Sequence, residues 1–214
     1  MTPISRGRQK PRDRHFVTIL LAAREEFALH GYKGARMQAI ADRAGLPKAN
    51  VHYYFRDKHT LYRAVLDNII ETWNDFFQDA TVKDDPAVAL DTFIREKVRL
   101  SFEQPSASRL FANEIIQGAP QLDDYISADL RRWVQNRAEI IQGWIDAGKM
   151  PPTDPELLIF TIWATTQHYA DFESQVLGIL DKNAYDDALM QRIADFLSHT
   201  ILAGCGLKPL TSMH

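Results

Sequence analysis

The chain has 214 residues, of which 45% are hydrophobic and 25% are charged, with one cysteine, Cys205. This length predicts one large domain or two small ones, with room for an ordinary core. A single cysteine excludes an intrachain disulfide and a multi-cysteine zinc site. The net charge of −3 conceals a division, because residues 1–63 hold 13 Lys+Arg and 5 Asp+Glu, while the remainder holds 12 and 23. The basic portion favours an anionic partner.

Residues 1–12 carry four basic side chains and two prolines, which predicts a basic disordered arm. A solvated tail and a DNA-contacting arm both explain this composition. No apolar region follows its basic residues, so a secretory signal is not expected. The most apolar later segment, 157–164, is shorter than the ~20 residues that span a membrane. We therefore expect a cytoplasmic protein with no membrane partner.

Residues 13–56 are predicted to form a helix-turn-helix domain of three helices. Asp13 is a candidate cap for the first helix, whose apolar residues recur at helical spacing until His30 and Gly31. A short second helix begins near Ala35 or Arg36, and Gly45 suits the left-handed turn that ends it. A helix pair with a turn of this kind is typical of proteins that enter the DNA major groove.

The third helix is the predicted DNA reader. Pro47 suits its first turn, and Val51 and Phe55 are its predicted inward anchors. Lysine and asparagine side chains can bind base edges, whereas tyrosine hydroxyls suit phosphate oxygens. Lys58 lies in the first turn of the next helix, where a cation opposes the helix dipole and is better placed beside a bound phosphate.

Residues 57–214 are predicted to form a second, entirely helical domain. Asp57 is a candidate cap for a fourth helix that continues the chain without a linker. Proline and glycine positions then divide the sequence into further helices, and no segment alternates with the period of a strand. The predicted segments are 86–104, 106–118, 122–147, 155 to about 180, and 185–203.

The helix-turn-helix segment resembles the DNA-binding domain of the tetracycline-repressor (TetR) family of bacterial regulators. The resemblance rests on Ile40-Ala41, on Ala44-Gly45-Leu46, on His52-Tyr53-Tyr54-Phe55, and on Lys58. It implies that double-stranded operator DNA is a partner. The implied base contacts are Gln38, Lys48, Ala49, Asn50 and His52, and the implied phosphate contacts are Arg36, Tyr53, Tyr54 and Lys58.

This chain departs from the family pattern at three positions. Ala35 stands where a capping threonine is common, Pro47 replaces the usual serine, and His52 replaces the usual first tyrosine. These departures leave docking intact but put individual base contacts in question. A helical hairpin of the core with incidental charge is the alternative interpretation of the segment.

Segments 106–120, 140–160 and 161–172 resemble the C-terminal domain of the pyrimidine-utilisation repressors within this family. The resemblance implies a uracil-like or thymine-like effector and a homodimer formed through the last two long helices. Trp163 and Gln167 share a helix face and could stack on a planar base and bind its edge. Trp73, Phe77 and His168 are further candidates. An aromatic stripe is otherwise core, and a polar residue at a dimer seam is otherwise structural.

The prediction is therefore an all-α, ligand-responsive transcriptional regulator, with no cofactor, no metal site and no catalytic residues. His168 and Asp171 are two metal-ligand types on one helix, but no second cluster completes a site, and no nucleophile or phosphate-binding motif occurs. A regulator of the same family with another effector, such as an amino-acid derivative, lipid or drug, is the first alternative. A helical enzyme or binding module without DNA function is the second.

Overall fold

The computed structural model describes residues 11–74 and 77–210, and all regular secondary structure in those ranges is helical. The predicted all-α fold class is confirmed. The chain separates into two compact units, Met1–Ile70 and Glu71–His214. The α-helices are α1 Pro11–Gly34, α2 Met37–Ala44, α3 Lys48–Tyr54, α4 Lys58–Asn74, α5 Pro86–Glu103, α6 Pro105–Ile116, α7 Arg131–Asp146, α8 Pro155–Asp171, α9 Glu173–Leu180 and α10 Asp187–Gly204, and a π-helical segment, Tyr125–Leu130, directly precedes α7.

The first unit has a small core shared by α1, α2, α3 and the first turns of α4. Its fully buried side chains are Ile19, Ala23, Phe27, Ile40, Ala41, Val51, Leu61 and Leu66. Gly45 ends α2 at φ 65°, and its N–H donates to the carbonyl groups of Ala41 and Asp42. Only glycine takes this left-handed conformation without strain, so the turn between α2 and α3 follows directly from Gly45.

The helix starts in the first unit agree with the sequence in one case and differ in another. Asp57 caps α4 as predicted, because its Oδ1 accepts from the Thr60 N–H at 2.8 Å. Asp13 does not begin α1, which starts two residues earlier at Pro11. Most of the predicted basic arm, residues 1–10, lies outside the described residues.

The second unit packs α5, α7, α8 and α10 around one apolar core. Trp144 is fully buried in it, and its Nε1–H donates to the Thr81 carbonyl oxygen at 3.0 Å. Three aspartates cap the helices that build this core, since Asp85, Asp154 and Asp186 accept from the backbone N–H groups of Ala87, Leu157 and Leu189. The local sequence therefore sets where α5, α8 and α10 begin. No described helix is both long and apolar enough to cross a membrane.

Two predicted helices differ from the structure. The segment from 155 to about 180 is interrupted, because Phe172 leaves the helical conformation between α8 and α9. The segment 122–147 is helical for most of its length, but Tyr125–Leu130 is π-helical. Neither interruption contains a proline or glycine, so no local sequence signal marks it.

Candidate DNA-binding surface and effector cavity

The predicted DNA-binding residues lie on the surface of the first unit, around α2 and α3. Val51 and Phe55 face inward and are nearly inaccessible, as the sequence indicated. The other side chains are therefore directed outward, away from this small core. Arg36, Gln38, Lys48, Ala49, His52 and Tyr53 are exposed, and Asn50, Tyr54 and Lys58 are half-buried.

Aromatic packing fixes the end of α3 against α1. Phe16 of α1 stacks on Phe55 with 5.3 Å between ring centroids and meets the Tyr54 ring edge-on at 6.2 Å. Tyr54 in turn contacts Tyr53 at 5.2 Å, and the Tyr53 side chain remains 70% exposed. The two tyrosines therefore stand at a defined position with an accessible face, as a phosphate contact requires.

Two of the predicted DNA-contacting side chains already form hydrogen bonds to other residues of the protein. Gln38 Nε2 donates to Asp42 Oδ1 at 2.8 Å along α2. The Lys58 ammonium donates to the carbonyl oxygens of Lys33, at 3.3 Å, and Ala35, at 3.1 Å. It also lies 4.9 Å from the Tyr32 ring centroid. Because an ammonium has three hydrogens, Lys58 ties the end of α1 to α4 and keeps one donor for another acceptor.

A cavity in the second unit is the candidate effector site. It is small, with a cavity volume of about 60 Å³, and its mouth is open to solvent. Its wall is mostly aromatic and is formed by Trp73, Phe93, Lys97, Phe111, Tyr125, Leu130, Trp133, Trp163 and Gln167. The rings form pairs: Trp73 meets Phe111 at 4.9 Å, and Trp133 meets Trp163 at 5.7 Å. Such a wall suits a small planar ring.

Polar groups with free hydrogen-bonding capacity line the same cavity. Gln167 contributes an amide, and Lys97 an ammonium 4.6 Å from the Trp73 ring centroid. The Trp133 Nε1–H is buried and has no acceptor among the described residues. A smaller void, lined in part by Trp73, Lys97 and Gln167, adjoins the cavity. The cavity lining therefore combines aromatic rings with hydrogen-bond donors that have no acceptor in the protein.

The charge of Lys97 is poorly compensated. Its side chain is 5% exposed, and burial lowers the pKa of its ammonium to about 8, against the opposing field of Asp171. Asp171 accepts from Ser108 Oγ at 2.6 Å, and burial raises the pKa of its carboxyl group. These two groups interact through space without forming an ion pair within 4 Å. Lys97 therefore brings a mostly intact positive charge to the cavity at neutral pH.

The structure gathers some of the predicted ligand residues and separates others. Trp73, Trp163 and Gln167 line the cavity together. Phe77 does not, because its backbone is left-handed, with φ 61°, and so does not continue the helical spacing from Trp73. Its ring instead stacks on Phe93, in the second core. The exposed His168 is also outside the wall and stacks on Phe172 at 5.1 Å.

Sequence reasoning missed the contribution of α5 and of the segment before α7. Lys97 carries one available signal, because a lysine on the apolar face formed by Leu90, Phe93, Ile94 and Val98 is unusual. Trp133 follows the helical spacing of its apolar neighbours, which indicates only an amphipathic helix. Its orphaned N–H is a tertiary property, which no spacing in the sequence reveals.

Large apolar side chains remain exposed along α8 to α10 of the isolated chain. Leu157 is 60% exposed, Ile179 76% and Phe196 50%. Phe160 and Phe172 are exposed as well, at 46% and 52%. Apolar exposure concentrated on consecutive helices is characteristic of a surface that a partner covers.

Both parts of the chain match known families. Residues 19–65 match the family described as bacterial regulatory proteins, tetR family, and residues 66–208 match the C-terminal region of YcdC-like proteins. The HTH-type transcriptional regulator RutR of Escherichia coli strain K12 is 38% identical over 190 residues, which are 87% of this chain and 88% of that protein.

Solved structures share the same fold at lower identity. A Clostridium perfringens regulator superposes with a TM-score of 0.71 at 20% identity, covering 89% of this chain and all of the other. The structure of AibR in complex with isovaleryl coenzyme A and operator DNA gives a TM-score of 0.65 at 18% identity, over 87% of this chain and 97% of AibR. At this identity the likeness concerns the fold alone.

Proposed function

This chain belongs to the TetR family of bacterial regulatory proteins, and on that premise we propose that it is a homodimeric repressor released from palindromic operator DNA by a pyrimidine base. Like its relatives, it is a transcriptional regulator and not an enzyme. Members of the family bind operator DNA and small-molecule effectors, generally as dimers. For this chain, the homodimer, the role as a repressor, the pyrimidine effector and the cytoplasmic location are the proposed refinements.

The exposed side of α3 supports the DNA-binding role. Lys48 and His52 are exposed, and Asn50 is half-buried beside them. A lysine can bind guanine or phosphate and an asparagine can bind adenine, so this short helix presents groups for both base and backbone recognition. The two recognition helices of a dimer would then read the two halves of a palindrome.

The aromatic cavity is the observation that carries the proposed effector. Trp73, Trp163 and Gln167 share its wall, where indole faces can stack on a planar ring and an amide can bind its edge. Uracil and thymine present such an edge of alternating N–H and C=O groups. The cavity also lies entirely within residues 71–214, the part of the chain that resembles pyrimidine-responsive regulators.

We propose that α4 transmits the signal. One continuous helix begins at Lys58, beside the DNA-binding helices, and extends to Trp73, which lines the cavity. A ligand acts as a switch only if it binds the two arrangements of the dimer unequally. Contact with Trp73 gives the ligand a direct means to favour one position of this helix.

Calorimetry and a gel-shift assay test this proposal together. Uracil and thymine should release heat on binding and raise the melting temperature, and should displace the protein from its own upstream DNA. If the protein shifts the DNA but does not respond to millimolar uracil or thymine, the role as a DNA-binding regulator stands and the proposed pyrimidine effector is refuted. Failure to shift any upstream DNA would favour the alternative of a binding module without DNA function.

A further inference from the structure

Lys97 and Trp133 each bring to the cavity a hydrogen-bond donor that has no protein acceptor. Among residues 11–74 and 77–210, no oxygen accepts from the Lys97 ammonium, whose neighbours include the Trp73 ring and the more distant charge of Asp171. The Trp133 Nε1–H is buried in the same condition. Buried donors are almost always satisfied in folded proteins, so two orphans at one cavity need an explanation.

The energetic cost of leaving the Lys97 and Trp133 donors without an acceptor argues against a purely structural role for them. Burying a polar group without a hydrogen bond disfavours folding, and burying an unpaired charge disfavours it further. Elsewhere in the unit the same residue types are satisfied: Trp144 donates to the Thr81 carbonyl oxygen, and the Lys149 ammonium donates to the carbonyl oxygens of Val82, Lys83 and Asp84. Arg137 Nε and His199 Nδ1 of this unit are also buried without an acceptor, but neither side chain lines the cavity, whereas those of Lys97 and Trp133 do.

We propose that Lys97 and Trp133 are the specificity-determining donors of the effector cavity, and that its ligand supplies two acceptor oxygens to them. This inference rests on the proposed function, because it assigns the chemistry of the same site. The third polar group, Gln167, both donates and accepts through its amide. The ligand is thus a neutral or anionic planar molecule with two carbonyl-type oxygens, and one of its N–H groups can meet the Gln167 oxygen.

This donor set discriminates between similar rings. Uracil and thymine carry two carbonyl oxygens, whereas cytosine carries an amino group in place of one of them. An amino group facing Lys97 or Trp133 would oppose donor to donor and leave both unsatisfied. Mismatches of this kind produce strong selectivity, because the unpaired groups stay buried in the complex.

Calorimetry with uracil and cytosine tests the inference on the full-length protein and on matched variants. Lys97→Met and Trp133→Phe remove the orphaned donors while keeping most of the side-chain volume. Each should weaken uracil binding at least about tenfold, the effect of losing ~1.4 kcal/mol. Lys83→Met removes an exposed lysine of the same unit, and Trp144→Phe removes an indole N–H that already has its partner. Neither control should alter uracil affinity by more than about twofold, which is ~0.4 kcal/mol.

The outcomes separate the two proposals. Uracil binding that is unchanged in both donor variants would overturn the roles of Lys97 and Trp133 and leave the pyrimidine effector standing. Cytosine binding as tightly as uracil would overturn the requirement for two acceptors. Absence of uracil and thymine binding to the wild-type protein would refute the proposed effector and this inference with it. Thermal melting of each variant verifies its folding.

Discussion

Two lysines of this protein differ in how well the fold satisfies their ammonium groups. Lys97 lines the effector cavity and Lys58 lies at the DNA-binding surface, yet the ammonium of Lys97 has no acceptor and that of Lys58 has two. The first is costly to the fold and available to a ligand. The second stabilises the fold and is only partly available to DNA.

Lys97→Met should stabilise the protein at neutral pH. Burial lowers the pKa of this ammonium from 10.5 to about 8, and each unit corresponds to ~1.4 kcal/mol, so the gain is at most about 3 kcal/mol. Below pH 8 both the folded and unfolded chains keep the proton, and the full penalty is present. Between pH 8 and 10.5 the unfolded chain binds more protons, so the wild type recovers stability as pH rises.

Urea unfolding at pH 7 and at pH 10 measures this difference. The advantage of Lys97→Met should be large at the lower pH and much smaller at the higher one. Lys83→Met, at an exposed position, is the control and should show no such dependence. An equal advantage at both values would mean that burial of the charge is not its origin.

Lys58→Ala should affect both folding and DNA binding. Loss of its two hydrogen bonds to the end of α1 should lower the melting temperature, because each such bond contributes about 1 kcal/mol. If the third hydrogen meets a phosphate, the salt dependence of DNA binding should also flatten by about one unit of slope.

Lys48→Ala provides the comparison for that experiment. Lys48 is exposed and has no hydrogen bond or ion pair to any described residue, so its removal should leave the melting temperature unchanged. A salt slope that Lys58→Ala does not alter would remove Lys58 from the phosphate contacts and leave it a purely structural residue.

At the scale of elements, helix ends decide the geometry of the DNA-binding surface. Gly45 takes a left-handed conformation at the end of α2, and an added Cβ would meet no atom within 4 Å. The restriction on this position is therefore a matter of backbone conformation and not of space. The turn that aims α3 depends on it.

Gly45→Ala should lower the free energy of unfolding by about 1–2 kcal/mol, the cost of a left-handed conformation for a residue with a Cβ. Gly45→Asn should cost less, because asparagine adopts this conformation more readily. Chemical denaturation of the two variants measures the difference. Equal losses would show that the cost arises from something other than the backbone angle.

The sequence predicts most helices here because their boundaries carry chemical signals. Aspartate caps and first-turn prolines mark α5 and α8, and Gly45 marks the end of α2. The break at Phe172 carries no such signal and depends on tertiary packing. The cavity could likewise be predicted only in part. Trp163 and Gln167 follow from their spacing on one helix, whereas Lys97 comes from a helix far away in sequence.

At the scale of the whole molecule, the exposed apolar surface of α8 to α10 is the feature that the isolated chain leaves uncovered. Phe160 and Phe196 are large, about half exposed, and on the two helices that we propose to form the dimer. Burying such side chains against a second copy would supply much of the driving force for association.

Phe196→Glu should therefore convert the dimer to a monomer, since a buried carboxylate would have no partner at a self-complementary interface. Light scattering after size-exclusion chromatography measures the mass. Ile116→Glu is the control, because Ile116 is 77% exposed at the end of α6, which is not one of the two proposed interface helices, and its change should leave the mass unaltered. A dimeric Phe196→Glu would place the interface elsewhere.

The π-helical segment Tyr125–Leu130 has a consequence for how this cavity can diversify. A π-helical turn contains one residue more than an α-helical turn, and both ends of this segment, Tyr125 and Leu130, line the cavity. Deleting one exposed residue within it, such as Ser127, would let the helix continue as a regular α-helix, because a π-helical turn absorbs one extra residue while the flanking residues keep their faces. The deletion would leave Tyr125 and Trp133 on nearly the same faces but remove the wide turn between Tyr125 and Leu130. One deleted codon would thus change the shape of this part of the cavity wall without replacing any core residue.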